Sequence, residues 1–199
     1  NQVQPQRPTG GSVDEGIHRG LYKFADADAA IDGPRVRLFG SGAIMGEVLL
    51  ARDLLRERFG VAAEIWSATS YSELRRDALV VERWNRRHPG SPARRSWLQE
   101  QLGSDAAPIV AASDWVTALP DLLAPWIEVP YLVLGTDGFG LSDTREGLRH
   151  FFSVDAKHIA AAAMVALARA GERSPHEAAL AIKELGIDPE RPPVFVTDR

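Results

Sequence analysis

From Arg35 onward the chain alternates between short apolar runs and longer stretches with helical spacing. RVRLFG (35–40) is a β-type run that stops at Gly40-Ser41-Gly42. Ile44, Val48, Ala51, Leu55 and Phe59 then recur at three- and four-residue intervals, with Arg52, Asp53, Arg56 and Glu57 on the opposite side. That spacing predicts an amphipathic helix closed by Gly60. VAAEIWSA (61–68) follows as a second strand and completes a strand–helix–strand unit. Tyr71 to Trp84 reads as helix, HPGSP (88–92) as a break, and Ser96 to Leu102 as another helical turn or two.

PIVAAS (108–113) is a third strand, continuously apolar as a strand covered on both faces should be. Asp114 to Leu123 is expected to be a short helix ending at Pro125, and YLVLG (131–135) a fourth strand. Everything beyond Asp143 reads as helical, over 143–151, Ala156–Ala170 and 175–185. The last segment has a capping box, with Ser174 at N-cap, Pro175 at N1 and Glu177 at N3, and stops at Gly186. Near the start, Val13, Ile17, Leu21 and Phe24 are spaced for a helix over 13–24. The whole pattern predicts an α/β fold, a three-layer α/β/α sandwich on a mostly parallel sheet. One domain spans 13–188, with a flexible lead-in over 1–12 and a tail over 189–199.

Composition narrows the function classes. The 199 residues are 45% apolar and 25% charged, an ordinary globular balance. A net charge of −4 gives no basic stripe for nucleic acid. The pairs Arg75-Arg76, Arg86-Arg87 and Arg94-Arg95 are diluted by Glu73, Asp77, Glu82 and Glu100 and read as a solvated helix face. There is no cysteine, which suits a reducing cytoplasm. The longest wholly apolar run, Ile159 to Ala168, falls well short of the ~18 residues of a membrane span. The chain opens on Asn1 without signal-peptide architecture, so it is expected to be a piece of something longer.

Several chemical signals can then be weighed. Gly40-Ser41-Gly42-Ala43-Ile44-Met45-Gly46 lies where dinucleotide folds place G-x-G-x-x-G, but Met45 holds the third glycine's slot. A tight strand-to-helix turn is the plainer reading. The five histidines (18, 88, 150, 158, 176) include no pair at H-x-x-x-H spacing. His150 and His158 are eight apart across an expected break at Ser153, so no zinc site is predicted. No G-x-S-x-G elbow is present, and the five tryptophans are too widely spaced for a stacking platform. The stretch Ile159–Ala168 has no polar side. It is either buried in its own domain or covers a subunit interface.

The loop Thr136-Asp137-Gly138-Phe139-Gly140 has the look of the G-D-G motif with which thiamine-diphosphate enzymes hold Mg²⁺, but that ion needs further oxygen ligands. The motif's asparagine partner is missing, because Asn1 and Asn85 both precede Asp137. Asp137, Asp143, Arg145 and Arg149 are expected to form a carboxylate–guanidinium network that fixes the loop, with Gly138 and Phe139 shaping it against the sheet or a neighbouring domain.

Longer segments carry a resemblance. GSGAIMGEVLLARDLL, WSATSYSELRRDALVVERWNRRHP and YLVLGTDGFGLSDTREGLRHFFSVDAKHIAAAAMVAL are similar to the C-terminal domain of homodimeric bacterial pyruvate dehydrogenase E1 components, in the transketolase-like, thiamine-diphosphate-dependent family. The similarity runs from about Val13 to about Asp188, and Leu141 stands where the family often has arginine. It implies a parent chain with two preceding domains, which bind thiamine diphosphate and Mg²⁺ between the subunits of a dimer. That parent decarboxylates pyruvate and reductively acetylates the lipoyl group of the E2 dihydrolipoyl acetyltransferase. It further implies that this segment holds no catalytic, cofactor or metal residue and is inactive alone. A competing reading is a stand-alone module that takes a phosphorylated small molecule or nucleotide at the 40–46 or 136–143 loops.

Overall fold

The structure is a computed structural model that describes residues 5–194; residues 1–4 of the expected lead-in and 195–199 of the expected tail lie outside the described residues. The elements run α1 (Gly11–Arg19), β1 (Leu21–Ala25), β2 (Arg35–Gly40), α2 (Met45–Phe59), β3 (Ala62–Ala68), α3 (Tyr71–Arg87) and α4 (Trp97–Leu102). They continue through β4 (Ile109–Ala112), α5 (Ala118–Asp121), β5 (Tyr131–Leu134), α6 (Arg145–Phe151), α7 (Ala156–Arg169) and α8 (Pro175–Glu184).

The five strands form one sheet in the order β1-β3-β2-β4-β5. All neighbours are parallel except β1, which pairs antiparallel with β3 at the edge. Alternation along each strand sends side chains to two cores. Val36, Leu38, Ala63, Ile65 and Val110 meet α2, α7 and α8, whereas Phe39, Trp66, Ile109 and Ala111 meet Leu74, Trp97, Leu98 and Leu123. The predicted α/β/α layering therefore stands.

Two local expectations are corrected. The helix expected over 13–24 ends at Arg19, because Gly20 takes a left-handed φ of 97° and turns the chain. The Gly20 carbonyl then accepts from Thr69 N and Ser70 N, which seats Leu21–Ala25 as a fifth strand beside β3. The helix expected over 114–123 shrinks to Ala118–Asp121, followed by a 3₁₀ turn at Ala124–Trp126.

The alanine-rich α7 is buried within the chain itself. Ile159, Ala160, Ala163, Ala166 and Leu167 have no exposed surface and lie in the core shared with α2 and α8. The stretch Arg145–Arg169 is apolar and long enough to cross a membrane by length and composition, with half of its window buried. It is not one helix here, since Phe152–Asp155 interrupts it and Ser153 sits at φ 58°.

Candidate functional site

Strand order reverses between β2 and β4, and the loops leaving β2, β4 and β5 meet there at the carboxyl end of the sheet. Parallel sheets place ligand crevices at this point. Here backbone hydrogen bonds tie the loops to one another. Ser41 N donates to Ala112 O at 3.2 Å, Ser113 N to Leu134 O at 3.0 Å, and Thr136 N to Trp115 O at 2.9 Å. Gly42, at φ 54°, would place a Cβ 3.2 Å from Asp114 Oδ1, so a carboxylate faces the glycine turn where a phosphate would have to sit. Glu64, the acidic residue of β3, is also committed: it accepts from Trp66 Nε1 and pairs with Arg35 at 3.3 Å.

The loop after β5 is pinned at its root. Thr117 N and Thr117 Oγ1 donate to the two oxygens of Asp137, at 3.0 and 2.7 Å. Thr136 Oγ1 donates to Asp114 O at 2.8 Å. Gly135 has to be glycine for this approach, because a Cβ would lie 2.6 Å from Trp115 O and 2.9 Å from Thr117 N. Asp121 nearby has its carboxyl raised, first by burial and then by the charge of Asp137. With both Asp137 oxygens engaged and no asparagine downstream, these residues do not fit the grip of a metal-bound diphosphate.

Past Asp137 the loop turns outward. Gly138 is at φ 94°, and Phe139 is 92% exposed with Leu141 at 52%. Asp143 accepts from the adjacent Thr144 N at 2.6 Å, and Thr144 Oγ1 caps α6 by accepting from Gly147 N at 3.1 Å. Arg145 opens α6 and lines a cleft with Glu47, Leu50, Glu146 and Arg149. Arg149 reaches across to α2, where it pairs with Glu47 at 2.7 Å and donates to Ala43 O at 3.2 Å. Glu47 accepts in turn from Ala156 N, at the first turn of α7, at 2.9 Å. In place of the expected carboxylate–guanidinium network, Asp137 accepts from Thr117 and holds the loop to the segment after β4, Asp143 accepts from Thr144 N, and Arg149 pairs with Glu47 and holds α6 to α2.

The spacing of the histidines concealed a further cluster. The break at Phe152–Asp155 folds α6 back toward α7, so that His150, Asp155 and His158 offer ligand atoms within 4.8 Å of one another. Asp155 accepts from His158 Nδ1 at 2.8 Å, His150 Nδ1 at 3.1 Å and His158 N at 2.9 Å. Burial pushes the Asp155 carboxyl up, but these hydrogen bonds and the charge of His158 outweigh it and hold it at about 2. A rule built on H-x-x-x-H within one helix cannot see residues joined across a helix break.

Comparison with known proteins identifies the scaffold. The Transketolase-like TK C-terminal domain family matches residues 20–155. The chain belongs to that family. Among curated proteins, the transketolase-like domain is similar to the pyruvate dehydrogenase E1 component of Pseudomonas aeruginosa, 45% identical over 192 residues, covering 96% of this chain and 21% of the relative. The corresponding proteins of Mycobacterium tuberculosis and Escherichia coli are 38% and 37% identical, covering 94% and 96% of this chain and 20% and 21% of theirs. The chain spans about one fifth of the length of these relatives. Transketolases from Leishmania mexicana and Pichia stipitis share the fold, with TM-scores of 0.53 and 0.54 over 84% of this chain and 21% and 20% of those chains, at 16% and 18% identity.

Proposed function

We propose that this transketolase-like domain is the C-terminal domain of a pyruvate dehydrogenase E1 component, in a cytoplasmic homodimer that decarboxylates pyruvate and reductively acetylates the lipoyl group of E2. The observation that carries the reading is 37–45% identity to E1 components over 93–96% of the chain. On this reading the folded unit covers 13–188, with 1–12 and 189–199 as flanking segments. It does no chemistry of its own; thiamine diphosphate and Mg²⁺ sit in the preceding domains, and the loop over 136–149 packs against them or against the second subunit. The engaged Asp137 carboxylate and the acidic Asp114 beside Gly42 favour this over a phosphate- or nucleotide-binding module.

The test replaces the matching fifth of the Pseudomonas aeruginosa protein with this chain. The hybrid is expected to regain pyruvate-dependent acetyl transfer that the truncated protein lacks. In parallel, calorimetric titration of this chain with thiamine diphosphate and Mg²⁺ is expected to be flat. Saturable micromolar binding to the chain alone, or a truncated protein as active as the intact one, overturns the reading.

A further inference from the structure

We propose that His150, Asp155 and His158 bind one divalent transition-metal ion of the zinc type, which ties the end of α6 to the start of α7. Two imidazoles and one carboxylate are a donor set for zinc and its first-row neighbours, whereas Mg²⁺ and Ca²⁺ take oxygen ligands. The donors already gather at the Asp155 carboxylate, with His150 Nδ1 3.1 Å from Oδ2 and His158 Nδ1 2.8 Å from Oδ1, and the three groups offer ligand atoms within 4.8 Å of one another. Adjacent donors around an ion with bonds of ~2.1 Å lie ~3.0 Å apart in an octahedral arrangement and ~3.4 Å apart in a tetrahedral one. Capture needs the two imidazoles to close on one ion at the carboxylate: each Nδ1 loses its proton, to the other nitrogen of a neutral ring or to solvent from a protonated one, and turns its lone pair to the ion.

Access and charge also suit a bound ion. His150 is 60% exposed at its side chain, whereas Asp155 and His158 are 18% and 11% exposed, so two ligands are held by packing and the third faces water. The cluster divides two surface grooves, one lined by Asp137, Phe152 and His158 and the other by Glu47, His150 and Asp155. Solvent can supply the remaining ligands from either side. Asp155 is ionised at neutral pH, and Glu47 neutralises the nearby Arg149. Backbone at this point is also fixed from outside the cluster, since Arg191 donates to His150 O at 3.1 Å and to Phe151 O at 3.1 Å. Fixed ligand carriers lose less freedom when the ion binds.

The experiment treats the 199-residue chain with a chelator, then titrates it with Zn²⁺ by equilibrium dialysis and with Co²⁺ by visible absorption. One ion per chain and cobalt ligand-field bands are expected. His150→Ala, at an exposed position, is expected to weaken binding at least tenfold with an unchanged circular dichroism spectrum, and His158→Gln to abolish it. A variant with His18, His88 and His176 all changed to Ala is expected to bind as the parent does. Absence of saturable binding below millimolar zinc overturns the proposal. So does an affinity that His150→Ala leaves unchanged, a result that stands even if His158→Gln fails to fold.

Discussion

Asp137 and Asp143 flank the same loop but are held differently. Asp137 takes two hydrogen bonds from Thr117, one of them from a backbone N–H, whereas Asp143 takes one from its immediate neighbour at the exposed start of α6. Removing an acceptor from a half-buried donor costs that donor's desolvation, about 1–3 kcal/mol. Asp137→Ala is therefore expected to lower unfolding stability by about 1–3 kcal/mol, and Asp143→Ala, away from any buried partner, by under about 1 kcal/mol. Urea unfolding of the two variants checks this; an Asp143 variant as unstable as the Asp137 variant refutes the assignment. Sequence singled out the loop because its glycines and aspartates interrupt an apolar run. It could not name Thr117, which lies twenty residues earlier and meets Asp137 only once β4 and β5 pair.

Strong periodicity explains which elements were legible. The helix α2 and the capped α8 matched their patterns, and the capping box of α8 formed with Ser174 Oγ and Glu177 N at 3.2 Å. The segment 21–25 was illegible for a physical reason: Leu21 and Phe24 fit a helical repeat, and it is long-range pairing, of Gly20 O with Thr69 N and Ser70 N and of β1 with β3, that commits it to the sheet edge. A second illegible link joins three helices through Glu47, whose oxygens serve Arg149 of α6 and Ala156 N of α7 from its place on α2. Glu47 and Arg149 are only 14% and 17% exposed at their side chains, so truncating Glu47 takes the carboxylate from a mostly buried guanidinium that keeps its hydrogen bond to Ala43 O. Glu47→Ala is expected to cost about 2–4 kcal/mol in chemical denaturation, with Glu47→Gln, which keeps the hydrogen-bonding shape, losing less. A cost below about 0.5 kcal/mol for the alanine variant would show that the three helices are held by apolar packing alone.

At the scale of the whole molecule, the two cores account for the apolar interior but leave large side chains outside at the carboxyl end of the sheet. Trp115 is 63% exposed beside the root of the loop, and Phe139 and Leu141 are 92% and 52% exposed along it. The alanine-rich helix, which the sequence left divided between core and interface, is covered by α2, α8 and the sheet. On the proposed E1 reading, the surface after β4 and β5 is thus the better candidate for contact with the preceding domains or the second subunit. Within this chain Phe139 has almost no packing to lose, so Phe139→Asp is expected to change its stability by less than about 0.5 kcal/mol. In the hybrid E1 protein the same substitution would place a charge in a desolvated contact, which is strongly unfavourable without a partner. Sedimentation velocity of the hybrid is expected to show a weakened dimer or a loosened, more extended subunit, with pyruvate-dependent activity falling in parallel. A hybrid carrying Phe139→Asp that keeps both its mass and its activity would remove this loop from the interface. The contact would then have to be sought on the opposite end of the sheet, around Arg37, Arg94 and Arg95.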